Sequence, residues 1–354
     1  LRRSSAASDV YKRQIKDTPL KETTAHLIEC LGVDAVVAQL LAQRGITTFE
    51  EARAFFRPHI GQLHDPFLMQ DMDKAVGRLQ QAIDQKEAVM VYGDYDVDGT
   101  TSVSLLTHFL RSQGLDVTPY IPDRYAEGYG LSKKGIDTAK AANISLMIAL
   151  DCGVKAIEQV AYAKTLGIEL IICDHHTPAD VLPDALAVLD PKRGDCTYPF
   201  KELCGCGVGF KLMQGLLQQQ GKEVNEIIAY LDFVAVAIAA DIVPMVGENR
   251  ALAFLGLQQL NTNPRPGLKA LMRDKQTGQI ISDVVFGMTP RINAAGRMKH
   301  GLDAVALLLS ASDEEAKKIA QEVETYNTSR REVEQEITKE ALAQIVVNLS
   351  LIHI

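Results

Sequence analysis

Tyr92-Gly93-Asp94-Tyr95-Asp96-Val97-Asp98-Gly99-Thr100-Thr101 sets three carboxylates at alternate positions directly after the apolar run Ala88 to Val91. The pattern recurs. Leu146 to Leu150 closes on Asp151, Leu170 to Cys173 closes on Asp174-His175-His176, and Val234 to Ala240 closes on Asp241. Acids gathered in a partly dry crevice repel one another and stay ionised only when cations compensate them. Oxygen ligands with an imidazole suit hard divalent ions such as Mn²⁺ or Mg²⁺ better than the thiolate-rich surroundings zinc often takes. Two such ions can clamp an in-line displacement at phosphorus and activate a water for the attack. A single Asp at a strand end is as readily a helix cap or a turn residue. Four apolar runs that all end in acid, one with a His-His pair, favour a polynuclear metal site.

The elements that must carry these residues follow from the same runs. From Ala88 to about Met245, apolar strands alternate with amphipathic helices such as Lys155 to Leu166, which implies βαβ units and a parallel sheet. The run ending at Asp241 is read here as one more strand, and the first acidic motif as a strand end leading to a helix over Ser102 to Ser112. Before the sheet, about Thr24 to Lys86 is helical and short-turned. Thr48-Phe49-Glu50-Glu51 reads as a capping box, and Pro58 and Pro66 break the run. After it come further helices and a Pro290-Arg291-Ile292-Asn293-Ala294-Ala295-Gly296-Arg297 loop. Ser312-Asp313-Glu314-Glu315 opens a last helix reaching about Ile345, with Ile319, Val323, Tyr326, Val333 and Ile337 along one stripe. Its length of roughly 50 Å suits a spacer, with a coiled-coil dimer as the other reading. Gly205-Cys206-Gly207-Val208-Gly209-Phe210 lacks the spacing of a dinucleotide loop and is read as tight packing before a helix starting at Phe210.

The composition narrows the class. The chain has 354 residues, enough for two domains with their own cores, and no run approaches the length of a membrane span. The basic start, Leu1 to Ser8, lacks the apolar centre of a signal peptide, and a cytoplasmic enzyme is expected. None of the six cysteines forms a Cys-x-x-Cys pair, and Cys152 and Cys173 sit in apolar strands, so buried reduced thiols are expected. Cys196, Cys204 and Cys206 fit no common zinc spacing. A net charge of −8 argues against a protein that coats nucleic acid generally. Local positive charge would then carry any phosphate contact.

The blocks resemble the DHH phosphoesterase superfamily and, within it, the RecJ-type single-strand-specific exonucleases. The likeness rests on Gly93 to Gly99, Asp151-Cys152-Gly153, Asp174-His175-His176 and Ala240-Asp241-Ile242-Val243-Pro244. Two further blocks are Tyr120 to Arg124 with Glu127 to Gly130, and Thr289 to Arg297. The resemblance runs in order from about Leu31 to about Ile345. It implies an α/β fold, a parallel sheet flanked by helices, with a helical N-terminal part and a long C-terminal connecting helix. It implies two Mn²⁺ or Mg²⁺ ions, with Asp151 bridging them, Asp98, His175 and Asp241 completing one, and Asp96 holding the other. Asp94 and Asp174 would orient ligands, while His176, backed by Asp174, would face the scissile phosphate. Arg124, Arg291, Asn293 and Arg297 would contact phosphate or DNA. Some relatives have a His where this chain has Tyr92, which implies a second ion that is weakly held or arrives with substrate.

The implied activity is metal-dependent 5′-to-3′ hydrolysis of single-stranded DNA to 5′-mononucleotides, in DNA repair and recombination. A phosphodiesterase of oligonucleotides or cyclic dinucleotides, and an inactive DNA-binding scaffold, are the alternatives. Single-stranded DNA is the expected partner, a helicase or single-strand-binding protein the candidate protein partner, and a monomer the expected state. The expected organisation is a disordered or non-native tail over 1–23, a helical region over 24–87 and a catalytic domain over 88–310. A connecting helix over 311–346 and a second foreign tail over 347–354 complete it. The family continues beyond that helix into further domains, so activity of this chain alone is an open expectation.

Overall fold

A computed structural model describes residues 17–272 and 276–348. Of the expected tails, 1–16 and 349–354 lie outside the described residues, whereas the helix α1 (Lys21–Leu31) already starts within the first. The chain divides into two compact units, one ending at His59 and one beginning at Ile60.

The first unit holds α1, α2 (Ala35–Ala42) and α3 (Phe49–Phe56). Asp34 caps α2 through the N–H groups of Val36 and Val37, and the expected capping box at Thr48 and Glu51 starts α3. Its core is small: Leu27, Ala38, Leu41, Ile46 and Ala52.

The second unit is built on a sheet of β1 (Ala88–Gly93), β2 (Asp116–Tyr120), β3 (Leu146–Leu150), β4 (Glu169–Cys173) and β5 (Ala187–Leu189). The strands are all parallel, in the order β2-β1-β3-β4-β5. They read as near-continuous apolar runs because both faces are covered. Val89, Val91, Ile148, Leu150 and Ile171 pack on one side with α4 (Met72–Gln85), α5 (Val97–Ser112), α8 (Gly205–Gln219) and α9 (Leu231–Asp241). Met90, Tyr92, Met147, Ala149 and Ile172 pack on the other with α6 (Lys133–Ala141) and α7 (Ile157–Thr165). The strand order reverses between β1 and β3. In open α/β sheets the crevice beyond the carboxyl ends at such a point is where ligands bind.

Four expectations about local structure are corrected. The run before Asp241 is the helix α9, not a strand: Leu231 to Ala239 are all buried, and a helix apolar on every side has no periodicity to betray it. Asp98 lies in the first turn of α5, which starts at Val97 rather than Ser102. The glycine-rich segment at 205 is itself the first turn of α8. After α10 (Gly247–Thr262) and α11 (Pro266–Leu271), the Thr289–Met298 segment is a helix, α12, with Pro290 in the first turn, where its missing N–H costs no hydrogen bond. Arg297 is therefore on a helix rather than in a loop.

Beyond α13 (Gly301–Leu308), the last helix α14 (Asp313–Asn348) has 36 residues. Ser312 and Glu315 cap it reciprocally, Glu315 accepting from the N–H of Ala311. Ala316 and Val323 are buried, while Val333 and Ile337 on the same stripe are exposed. No helix among the described residues is long and apolar enough to cross a membrane.

Candidate metal centre

The first acid cluster grows from the end of β1. Asp94 is buried, and Asp96 caps α5 by accepting from the N–H of Gly99 at 3.0 Å. Asp98, two residues on, is buried in the first turn of α5. Its two oxygens accept from the N–H groups of Gly205 and Cys206, at 2.7 and 2.8 Å. These are the first N–H groups of α8, which a helix leaves unpaired and slightly positive.

Asp151 follows β3 with a left-handed backbone, φ 58°. Its Oδ1 lies 3.1 Å from Nε2 of His175 but makes no hydrogen bond. The same nitrogen is 3.7 Å from Oδ2 of Asp98 and 3.6 Å from Oδ2 of Asp241. Asp241 reaches this point from the last residue of α9, and Ile242 after it is left-handed at φ 56°. Three groups of donor atoms have separations within 4.8 Å: Asp98, His175 and Asp241; Asp151, His175 and His176; and Asp94, Asp96 and Asp151.

Asp174 is occupied differently. It accepts from the N–H groups of Val154, His175 and His176, and from the ring of His176 at 2.7 Å. A carboxylate with so many donors is a support for the His-His pair rather than a free ligand. Burial pushes its pKa up, but the hydrogen bond and charge of His176 prevail and hold it low. The same bond raises His176.

The remaining acids are held in the opposite direction. Burial, then the neighbouring Asp96, pushes Asp94 up to about 7. Burial with Asp241 and Asp96 takes Asp98 to about 8, and burial with Asp96 takes Asp241 to about 6. Asp151 is raised well above its usual value by burial and Asp98. His175 is lowered to about 4 by burial and then His176, so its ring is neutral. A neutral imidazole facing three carboxylates, with buried Oδ1 atoms of Asp94 and Asp151 unpaired, is a donor set that lacks its positive charge. Oxygen and imidazole donors without thiolate fit a hard divalent cation.

Beside the acids is a cavity of about 270 Å³ lined by Asp94, Tyr95, Asp96, Arg124, Tyr129, Asn293 and Arg297. Arg124 stacks over the ring of Tyr95, 5.0 Å from its centroid. Arg291 is not among the lining residues. Its Nε pairs with Glu324 at 2.6 Å and its Nη1 donates to the carbonyl of Leu271, tying α12 to α14 and α11. Tyr92 does not reach the acids either: its phenol donates to the carbonyl of Gly130 and accepts from Ser132 N–H.

Sequence reasoning missed three contributors. The glycine alternation at 205–209 was the signal for the α8 cradle. Tyr129, whose OH lies 3.2 Å from Nε2 of His176, stood in a recognised block without a role. Asp190 ends β5 as the other acids end their strands, but three apolar residues were too short a run to register. It is fully buried, with Oδ2 unpaired, and burial raises it to about 7.

A family model described as the DHH family, N-terminal domain, matches residues 88–238. The single-stranded-DNA-specific exonuclease RecJ of Bacillus subtilis (strain 168) is 40% identical over 330 residues, 92% of this chain and 41% of that protein. RecJ of Thermus thermophilus, solved in complex with Mn²⁺, superposes with a TM-score of 0.80 at 28% identity, over 92% of this chain and 47% of that one. An exonuclease RecJ solved bound to manganese superposes at 0.73 with 32% identity, over 81% of this chain and 72% of that one. The chain thus spans less than half the length of the first two.

Proposed function

Because the chain belongs to the RecJ family within the DHH phosphoesterases, we propose that it is the catalytic part of a metal-dependent 5′-to-3′ exonuclease that releases 5′-mononucleotides from single-stranded DNA. The observation that carries this reading is the neutral His175 imidazole ringed by Asp98, Asp151 and Asp241, next to a cavity that carries two arginines.

The residues divide the work. Asp151 would be shared by two Mn²⁺ or Mg²⁺ ions, Asp98, His175 and Asp241 would complete one ion's ligands, and Asp96 would hold the other, a division supported by the proximity of their donor atoms. Asp94 was expected only to orient ligands, but its oxygen lies close enough to Asp96 and Asp151 to join the second set. When bound, such a pair of cations supplies Lewis acidity to the phosphate and to the attacking water. Asp174 holds the His176 ring, and His176 would face the scissile phosphate. Arg124 and Arg297 fork around oxygens of the terminal 5′ phosphate, for which the planar guanidinium is suited, and Asn293 adds a neutral donor. Residues 88–310 then form the catalytic domain and α14 a spacer. The protein acts as a cytoplasmic monomer in repair and recombination, on single strands supplied by an unwinding enzyme.

The test is digestion of 5′-labelled single-stranded DNA, double-stranded DNA and cyclic dinucleotides with Mn²⁺ and with EDTA. Mn²⁺-dependent release of mononucleotides from the single strand alone is expected. Preferential cleavage of the cyclic dinucleotide, or activity that survives EDTA, would overturn the reading.

A further inference from the structure

The segment joining β2 to α6 is glycine-rich, and Gly128 and Gly130 both have left-handed backbones, φ 84° and 79°. A loop of this kind would ordinarily leave Tyr129 between them free to wander. Here it is braced on both sides from beneath. Glu127 accepts from the backbone N–H of Asp123, from Tyr120 OH and from Ser132 Oγ, at 3.0, 2.9 and 2.6 Å. On the other side the Tyr92 phenol donates to Gly130 at 2.7 Å and accepts from Ser132 at 3.2 Å. Tyr92 is itself immobilised: it is fully buried, stacked on Tyr120 with centroids 5.2 Å apart, and so close to Gly135 that a Cβ there would lie 2.6 Å from its ring.

The braced segment delivers one side chain to the centre. Tyr129 sets its OH 3.2 Å from Nε2 of His176 and packs edge-on against Tyr95 and His176, with centroids 6.3 and 6.2 Å away. His176 is half-exposed, and Asp174 fixes only its Nδ1. A carboxylate can only accept, so Nδ1 carries the hydrogen; in the neutral ring Nε2 is then the acceptor, and the phenol must be the donor. Asp174 and Tyr129 together therefore hold both nitrogens.

We infer that Tyr129 is a positioning residue for His176, holding its rotamer at Nε2 as Asp174 holds Nδ1, and that Tyr92 acts one step further back by bracing the loop that presents Tyr129. The inference deepens the proposed phosphodiesterase reading, on which its kinetic consequence rests. It also gives Tyr92 a role of its own, as a phenol that serves the neighbouring loop.

The test uses Tyr129→Phe and Tyr92→Phe, each of which removes a single hydroxyl. With Mn²⁺ and 5′-phosphorylated single-stranded DNA, Tyr129→Phe should lower kcat about tenfold while KM and Mn²⁺ affinity stay within about twofold. In metal-free protein labelled with ¹⁵N-histidine, the His176 Nε2 resonance should shift towards that of an acceptor nitrogen that has lost its phenol donor, while Nδ1, still held by Asp174, keeps its hydrogen. Tyr92→Phe should move rate and resonance the same way by less. An unmoved His176 resonance in Tyr129→Phe overturns the inference, and so does a wild-type kcat. A wild-type resonance in Tyr92→Phe removes Tyr92 from it. The resonance is read without DNA or metal, so it stands apart from the nuclease reading. Failure of the unaltered protein to cut single strands would sink that reading alone.

Discussion

Gly205 donates its backbone N–H to Asp98 at 2.7 Å while its Cα hydrogens face Asp151, so closely that a Cβ would lie 2.6 Å from Cβ of Asp151. One residue without a side chain thus serves two candidate ligands, orienting one carboxylate and leaving room for the other.

Gly205→Ala should therefore disturb metal binding more than folding. The methyl group must push Asp151 aside, and overpacking of this kind costs roughly 1–3 kcal/mol. Calorimetry with Mn²⁺ should show affinity lowered by about tenfold or more, the size of effect seen when ligand supports are lost. Gly207→Ala is the control, because its added Cβ would meet Leu203 at an ordinary 3.4 Å. Equal Mn²⁺ affinity in the two variants would show that the approach to Asp151 is not needed.

Asp151→Asn and Asp94→Asn should differ in stoichiometry. Asp151 belongs to two of the donor groups and Asp94 to one. Titration with Mn²⁺ should find two ions in the unaltered protein, neither bound tightly in Asp151→Asn, and one retained in Asp94→Asn. Loss of both ions in Asp94→Asn would require the assignment to be redrawn.

Proton linkage gives a third expectation. Asp94, Asp98 and Asp241 have folded-state values of about 7, 8 and 6, all raised above those of an unfolded chain. Between those limits the metal-free folded protein binds more protons than the unfolded one. The contribution of these groups to stability is thus greatest in acid and is lost as pH rises through their folded values. Ligation requires the ionised forms, so Mn²⁺ affinity runs the other way. The rise in Tm on adding Mn²⁺ should be larger at about pH 8 than at about pH 5.5, measured by differential scanning fluorimetry. Glu87, which the Arg78 guanidinium holds below its usual range, weakens the fold with or without metal only as pH falls, and cancels in this difference.

Much of this centre was legible because β1, β3 and β4 are buried on both faces, so their runs of Val, Ile and Leu stop abruptly where the acids begin. The same logic misread α9. Phe233 to Ala239 is as apolar as a central strand, and only its place between α5 and α10 makes it a helix. Arg291 and Arg297 stand in one block and looked equivalent, yet six positions along α12 turn one towards Glu324 and the other towards the cavity. Long-range partners such as Gly205 for Asp98 leave no local pattern. The sequence holds the glycine, but only the fold says which carboxylate it meets.

The buried pair Lys211 and Glu248 tests the frame behind the centre. Both side chains are fully enclosed, 2.6 Å apart, and Glu248 also accepts from Tyr198 OH and His64 N–H. Removing one partner strands the other charge, so Glu248→Ala should cost roughly 3–5 kcal/mol in chemical denaturation. A loss below about 1 kcal/mol would mean that Lys211 sheds its proton or finds water.

Arg297 and Arg291 make the last comparison. A nuclease that starts at a 5′ end needs a pocket for the terminal phosphate at a set distance from its metals. Arg297 lines the cavity that adjoins Asp94 and Asp96, whereas Arg291 is tied to Glu324 and to the carbonyl of Leu271. A charge-assisted hydrogen bond contributes roughly 1.5–3 kcal/mol. Arg297→Ala should therefore shrink the preference for 5′-phosphorylated over 5′-hydroxyl single strands by about tenfold or more, read by fluorescence anisotropy without metal so that no cleavage intervenes. Arg291→Ala should leave the preference intact and lower Tm instead, because its loss loosens α12 from α14. If Arg297→Ala weakens both strands equally, that arginine is a general backbone contact and Arg124 becomes the residue to test for the 5′ phosphate.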